Sequence, residues 1–348
     1  MTLILKSRRQ FRELCLCGSR CNIDHMPASA PMVEAVALAK SYGTRRVLDD
    51  VTFSVNEGEV AGLLGPNGAG KTTTLSILAT LRAPDCGSVR IAGFDSRLNP
   101  GAIRRKLGFV PQAIALYPSL TPFENLELFA RVQGLSGRQA RDACRQALED
   151  VGLAERANDA VSILSGGMQR RLNLACAMVH HPSVLLLDEP TVGVDPQSRE
   201  KILQTIRRLA ANGVAAVYST HYMEEVERLC DRVLLIDQGR LVASGTVAEL
   251  IALAGQHHRM EITFQRTPPP GWCEGIAEVS EPTVAAADNR VTLHFANLAQ
   301  VSELLERARL AGGHVLEFSV HSANLSDAFM ALTGHALRDS DAGPLSAA

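Results

Sequence analysis

Apolar and polar positions change rhythm several times along the chain, and each change marks an element. Val33–Leu38 and Val51–Val55 are short β-like runs on either side of Ser41, Tyr42 and Gly43, which predicts strands joined through a turn. Val60–Leu64 is apolar throughout, as in a strand buried on both faces, and Thr72–Leu81 after it has the character of a helix. Ser88–Ile91 predicts another short strand, and Lys106–Pro111 leads to Gln112 at a strand end. From about Leu116 to Val179 the spacing becomes helical: Pro122 and Glu124 open one amphipathic segment, and Arg138–Val151 form another. The run Val184–Asp188 returns to the pattern of a buried strand. Arg199–Ala211, Val214–Ser219 and Met223–Cys230 then alternate helix, strand and helix, and Val233–Asp237 with Arg240–Ser244 predicts a hairpin around Gln238 and Gly239. Strands alternating with helices imply a mainly parallel α/β core.

Near Ala254–His257 this rhythm stops. Arg259–Phe264 and Arg290–Phe295 alternate like half-exposed strands, and Thr267–Gly271, with its three prolines, is a break. Leu298–Leu310 predicts a helix, His314–Val320 a strand and Asn324–Leu332 a short helix. Together they describe a small α+β domain of about 75 residues. The expected organisation is therefore a disordered extension over 1–31, an α/β domain over 32–257 with a helical subdomain at about 115–180, an accessory α+β domain over 258–335, and a flexible tail over 336–348.

Composition agrees with a large domain plus a small one: 348 residues, 46% hydrophobic and 21% charged. A formal net charge of −2 argues against a strongly basic nucleic-acid binder, and no nucleic-acid partner is expected. No stretch approaches the roughly 18 apolar residues that span a bilayer, and the start MTLILKSRRQ lacks the apolar core of a secretory signal. Of the eight cysteines, Cys15, Cys17 and Cys21 cluster near His25. A zinc site there would use every one of them, so an unstructured extension in a reducing cytoplasm is the simpler expectation. Translation from Met26 or Met32 would remove the extension altogether.

The chemistry enters with Gly65-Pro66-Asn67-Gly68-Ala69-Gly70-Lys71-Thr72, which fits G-x-x-x-x-G-K-[ST] between a strand and a helix. Backbone N–H groups in such a loop point at an anion, the helix N-terminus adds positive potential, and glycines let the backbone close around phosphate oxygens. Lys71 is placed to reach the β and γ phosphates, and the Thr72 hydroxyl to ligate Mg²⁺. Asp188, after four aliphatic residues, fits the acidic end of a buried strand that orients Mg²⁺, and Glu189 next to it is placed to polarise an attacking water. Leu164-Ser165-Gly166-Gly167-Met168-Gln169 is a second small-residue turn at a helix start, able to hold a phosphate by the same physics. Two such loops about a hundred residues apart need not meet on one nucleotide within one chain; they can act across a dimer.

In this order, over about Val33 to Leu253, these motifs resemble the ATP-binding subunit of an ABC transporter. Gly65–Thr72 matches the Walker A loop, Leu164–Gln169 the ABC signature, Val184–Asp188 Walker B, and Glu189 the catalytic glutamate. Gln112 matches the Q-loop, Asp195 the D-loop, His221 the switch histidine, and Tyr42 the aromatic that stacks on adenine. The resemblance implies a P-loop NTPase core of ABC type with a helical subdomain, hydrolysing ATP with Mg²⁺. It assigns catalysis to Glu189, His221 and Lys71 and the metal to Thr72, Gln112 and Asp188. It assigns nucleotide contacts to Tyr42, residues 65–72, Thr73, Gln112, Ser165, Gly166, Gly167, Gln169 and Asp195. It also implies a head-to-tail homodimer, or a dimer with a paralogous ATPase, docked through the region Gln112–Arg131 onto a separate transmembrane permease at the cytoplasmic face of the membrane. Met168 within the signature, and the C-terminal stretch Leu325–Asp339, resemble the branch exporting drugs, antibiotics and lipids, the daunorubicin-resistance type included. The alternative is a soluble ABC-type ATPase acting on ribosomes or DNA. A single cassette, a helical stretch too short for a long coiled coil and near-neutral charge all disfavour it.

Overall fold

The computed structural model describes residues 30–254, 258–266, 271–273, 283–285, 289–295, 298–321 and 324–334. The extension with its cysteine cluster, the prolines at 268–270 and the tail from 335 lie outside the described residues.

The described residues open on a long hairpin, β1 (Val33–Tyr42) and β2 (Arg45–Val55), followed by the fully buried β3 (Val60–Leu64) and helix α1 (Lys71–Leu78). β4 (Cys86–Ile91), β5 (Phe94–Asp95), α2 (Pro100–Lys106) and β6 (Leu107–Val110) come next. Three helices form the helical subdomain: α3 (Pro122–Val132), α4 (Gly137–Asp150) and α5 (Gly166–Met178). Then β7 (Val184–Asp188), α6 (Pro196–Ala211), β8 (Ala215–Thr220), α7 (Met223–Leu229), β9 (Arg232–Asp237), β10 (Arg240–Gly245) and α8 (Val247–Leu253) complete the α/β domain.

The central sheet has the order β10-β9-β3-β8-β7-β6. Its strands are parallel except for β10, which pairs antiparallel with β9. Every residue of β3, β7 and β8 is buried, as continuous apolar runs require when both faces of a sheet are covered. One face packs against α1 and a second sheet through Leu48, Leu63, Leu75, Leu186 and Val217. The other face packs against the helical subdomain and α6 through Leu126, Leu148, Leu172, Leu185 and Ile206.

That second sheet, ordered β2-β1-β4-β5 and antiparallel throughout, is an addition to the mainly parallel core expected from the sequence. β1 continues past Leu38 to Tyr42 through its pairing with β2 and β4, although a bulge interrupts its alternation. Ala37 sits at φ 51, its N–H donates to Thr52 Oγ1 at 2.8 Å, and the register shifts between Ala35 and Leu38.

Beyond the α/β domain, β11 (His258–Arg266), β12 (Thr283–Ala285), β13 (Arg290–Phe295), α9 (Gln300–Leu310) and β14 (His314–His321) form a four-stranded antiparallel sheet, β12-β13-β11-β14, with one helix. Met260, Ile262, Phe264, Leu293 and Phe295 of the sheet enclose Leu304 and Ala308 of α9 in a core of their own. The final helix, α10 (Leu325–Thr333), does not join that core. It packs on α7, α8 and β10, burying Leu325 and Phe329 against Leu64, Val226, Leu235 and Leu250 of the α/β domain. Among the described residues no helix is long and apolar enough to cross a membrane.

Candidate functional site

The loop between β3 and α1 turns on Gly70, the α1 N-cap, at φ 108 and ψ 4. A Cβ there would stand 2.6 Å from Leu48 Cδ2, so conformation and packing both demand glycine. No acidic residue in the first turn of α1 offsets its N-terminal dipole. Lys71 is buried at that terminus; its Nζ donates to Gly65 O at 2.8 Å and Pro66 O at 3.3 Å. The same Nζ lies 3.3 Å from Glu189 Oε1. Thr72 is exposed beside it and Thr73 half-buried. Asn67 and Gly68 are exposed at the loop crest, Pro66 is half-buried, and Ala69 is buried with its N–H donating to Pro66 O at 3.1 Å. A cleft of about 410 Å³ beside the loop is lined by Arg45, Val47, Pro66 and Gly68. Tyr42, 40% exposed at the end of β1, has the Arg82 guanidinium 5.4 Å from its ring centre.

Parallel pairing brings the ends of β7 and β8 level, with Asp188 beside Ser219. Asp188 Oδ1 accepts the Ser219 hydroxyl at 2.8 Å and the Thr72 hydroxyl at 3.3 Å. Burial nevertheless raises its pKa; those hydrogen bonds only partly offset the desolvation. Glu189 follows at φ 46, a left-handed conformation that costs a non-glycine residue about 1–3 kcal/mol. Its N–H is held by Ser219 O and Oγ, each at 3.1 Å. The carboxylate, 6% exposed, gathers three groups besides. Lys71 Nζ and His221 Nδ1 each stand 3.3 Å from Oε1, and Gln112 Nε2 donates to Oε2 at 3.2 Å.

The fold therefore assembles Lys71, Thr72, Gln112, Asp188, Glu189 and His221, drawn from four segments, into one cluster. Ser219, which bonds the Asp188 carboxylate and the Glu189 backbone N–H, was not legible in the sequence beyond being a polar residue near the end of a buried parallel strand, where α/β sheets present ligand-contacting groups. The Thr72 hydroxyl and the buried Asp188 carboxylate are hard oxygen donors that suit Mg²⁺, and the desolvated negative charge on Asp188 is what a cation would compensate. Among the described residues no three His, Cys, Asp or Glu side chains gather as a metal cage.

The second small-residue loop is anchored elsewhere, in the core of the helical subdomain. Ser165 caps α5, its Oγ accepting from Met168 N–H at 3.3 Å. Ser165 and Gly166 are exposed, but Gly167 is buried. A Cβ on Gly167 would stand 2.3 Å from Asp195 Oδ2 and 2.7 Å from Ser198 Cβ. Asp195 itself caps α6, accepting from Ser198 N–H at 2.8 Å, and that hydrogen bond lowers its pKa. The Gln169 amide donates to Val161 O at 3.2 Å and Leu164 O at 3.1 Å, which braces the loop.

A family model described as ABC transporter matches residues 48–192, which include the first loop, the second loop and the Asp188–Glu189 pair. The linearmycin resistance ATP-binding protein LnrL of Bacillus subtilis is 39% identical over 88% of this chain and 100% of that protein. The chain belongs to the ABC transporter ATP-binding family. The daunorubicin resistance ATP-binding protein DrrA2 of Streptomyces coeruleorubidus is 38% identical over 89% of this chain and 97% of its own. The Nod factor export ATP-binding protein I of Paraburkholderia xenovorans is 40% identical, over 90% and 100% respectively. Among solved structures, an ATP-binding subunit of an ABC transporter superposes with a TM-score of 0.60 at 32% identity, over 64% of this chain and 93% of that one. The ATP-binding cassette MJ0796, solved as a dimer in a post-hydrolysis state with ADP and Pi, gives 0.58 at 30% identity, over 62% and 98%. The α/β domain is thus an ATP-binding, ATP-hydrolysing ABC cassette.

Proposed function

We propose that this chain powers export of a drug, antibiotic or lipid-like compound through a separate transmembrane permease, working as a head-to-tail pair with a second copy or a paralogous ATPase. The observation that carries the direction of transport is the reach of the similarity. It covers 88–90% of the chain, past the cassette and into the accessory domain, in proteins named for linearmycin resistance, daunorubicin resistance and Nod factor export.

The reaction is ATP + H₂O → ADP + phosphate, in which the protein supplies positioning and charge compensation. Tyr42 stacks on adenine, and the amides of residues 65–73 cradle the phosphates. Lys71 exchanges its loop carbonyl partners for β and γ oxygens. Mg²⁺, held by Thr72, Asp188 and the Gln112 amide oxygen, would neutralise charge on those oxygens. Glu189 orients and polarises the attacking water, and His221 steadies the γ-phosphate side of the cluster. Ser165, Gly166 and Gly167 of the facing copy close over the γ-phosphate, with Gln169 bracing that loop and Asp195 fixing it to α6.

Coupling to the membrane is supported by a run of exposed apolar side chains beyond Gln112: Ile114 at 38%, Tyr117 at 53%, Leu128 at 36% and Val132 at 74%. They favour a permease contact on the helical subdomain, next to the residue that touches Glu189, with the protein held at the cytoplasmic face of the membrane. Affinity capture with the tagged full-length chain from detergent-solubilised membranes is expected to retain an integral membrane protein, and Ile114→Asp with Tyr117→Asp to reduce that retention at least tenfold (about 1.4 kcal/mol). Retention of ribosomes without a membrane protein would support the soluble, non-membrane alternative.

A further inference from the structure

A second polar cluster is buried next to the catalytic one, and no part of the reaction described above uses it. Glu225 of α7 is 3% exposed, a burial that carboxylates rarely tolerate unpaired. Its Oε2 accepts three hydroxyls, from Tyr218 at 2.6 Å, Thr191 at 3.0 Å and Thr220 at 3.1 Å. Its Oε1 has no hydrogen bond and faces Arg199 Nε, also without one, at 3.4 Å. Burial, then the Glu225 charge, hold the Tyr218 hydroxyl well above its usual pKa, so it stays a donor.

The partners come from three segments that each carry a piece of the site. Thr191 follows the Glu189-Pro190 turn, Arg199 lies in the first turn of α6 after Asp195, and Tyr218 and Thr220 end β8 just before His221. Thr220 Oγ1 also accepts the Tyr222 N–H at 3.0 Å, which fixes the backbone on both sides of His221. The Arg199 guanidinium lies 5.2 Å from the centre of the Tyr222 ring, which in turn lies 4.2 Å from the His221 ring. A buried carboxylate is weak as a stabiliser, since desolvation offsets most of its attraction. What this one does supply is a single point at which three segments share register.

We propose that Glu225 is a positioning residue that sets His221 against Glu189 and links that placement to the Asp195 end of α6. This rests on the reading of His221 as a hydrolytic residue. When the second copy contacts Asp195, a shift of α6 reaches His221 through Arg199 and Glu225.

Steady-state ATP hydrolysis by the full-length chain tests this. Glu225→Gln keeps the shape and removes the charge. It is expected to lower kcat about tenfold and leave KM for ATP within about twofold. Thr220→Val keeps the β-branched form in β8, removes the bridging hydroxyl, and is expected to lower kcat in the same way. The readout that mere destabilisation would not give is a double-mutant cycle: in a His221→Ala background, Glu225→Gln is expected to add less than about twofold. Wild-type kcat in both Glu225→Gln and Thr220→Val would overturn the proposal, as would losses that multiply fully with His221→Ala. If His221→Ala alone keeps the wild-type rate, the hydrolytic reading of His221 fails, and this proposal with it. The silent single variant tells the two failures apart.

Discussion

The Asp188 carboxylate closes β7 with 2% of its surface exposed, and burial raises its pKa from the ordinary 3.8. A carboxyl whose folded pKa lies above its unfolded one stabilises the fold below about pH 4, and that contribution is lost as pH rises through the folded value. Once ionised, the group is a cost, which a metal cation would relieve. Asp188→Asn keeps an acceptor for Ser219 and Thr72 and removes the charge. It is expected to raise the nucleotide-free Tm at pH 7 by about 2–4 °C and to lose the extra stabilisation by Mg²⁺ over nucleotide alone. Thermal melts at pH 5 and pH 7, with and without Mg²⁺-ATP, would measure both; a lower Tm in the nucleotide-free variant would argue against a desolvated charge. Lys71, Asp188, Glu189, Gln112 and His221 were legible in the sequence because each follows a strand signal in a recognisable order. Ser219 and Glu225 were not. A hydroxyl or carboxylate inside a strand or helix has no partner in the sequence until β7, β8 and α6 are brought together.

Among the elements, the α5 and α6 N-termini form one unit. Gly167 has no room for a side chain because the Asp195 cap and Ser198 occupy it. Gly167→Ala is expected to push α6 away from the loop, lower steady-state hydrolysis at least tenfold and leave ATP binding by the monomer, whose phosphate loop lies elsewhere, within about twofold. Fluorescent-nucleotide titration alongside a phosphate-release assay would separate the two; equal loss of both would contradict the assignment. The sequence placed the start of α6 at Arg199, whereas Asp195 caps it and Pro196 opens it. Asp195 was recognised for its motif, and capping is the local reason the same carboxylate is held beside Gly167. The alternating pattern of β1 ends at Leu38 because a bulge breaks it, and pairing with β2 and β4 carries the strand on to Tyr42.

In the whole molecule, the cassette and the accessory sheet have separate hydrophobic cores, yet α10 ties the end of the chain back to the cassette. The sequence pattern groups the Asn324–Leu332 helix with the accessory domain; in the structure Leu325 and Phe329 instead fill an apolar surface left by Leu64, Val226 and Leu250 of the cassette. The phosphate loop and the Ser165–Gly167 loop are rooted in different cores, on opposite faces of the central sheet. One copy offers each loop once, and the proposed head-to-tail pair would satisfy both. The most direct measurement is the mass in solution of Glu189→Gln with Mg²⁺-ATP, by size-exclusion chromatography with light scattering. If Glu189 polarises the attacking water as proposed, removing its charge should stall hydrolysis with nucleotide in place. The expected result is an ATP-dependent dimer that reverts to monomer when nucleotide is removed, with one ATP bound per chain. A variant that stays monomeric with ATP bound, or that hydrolyses ATP at the wild-type rate, would contradict the composite site.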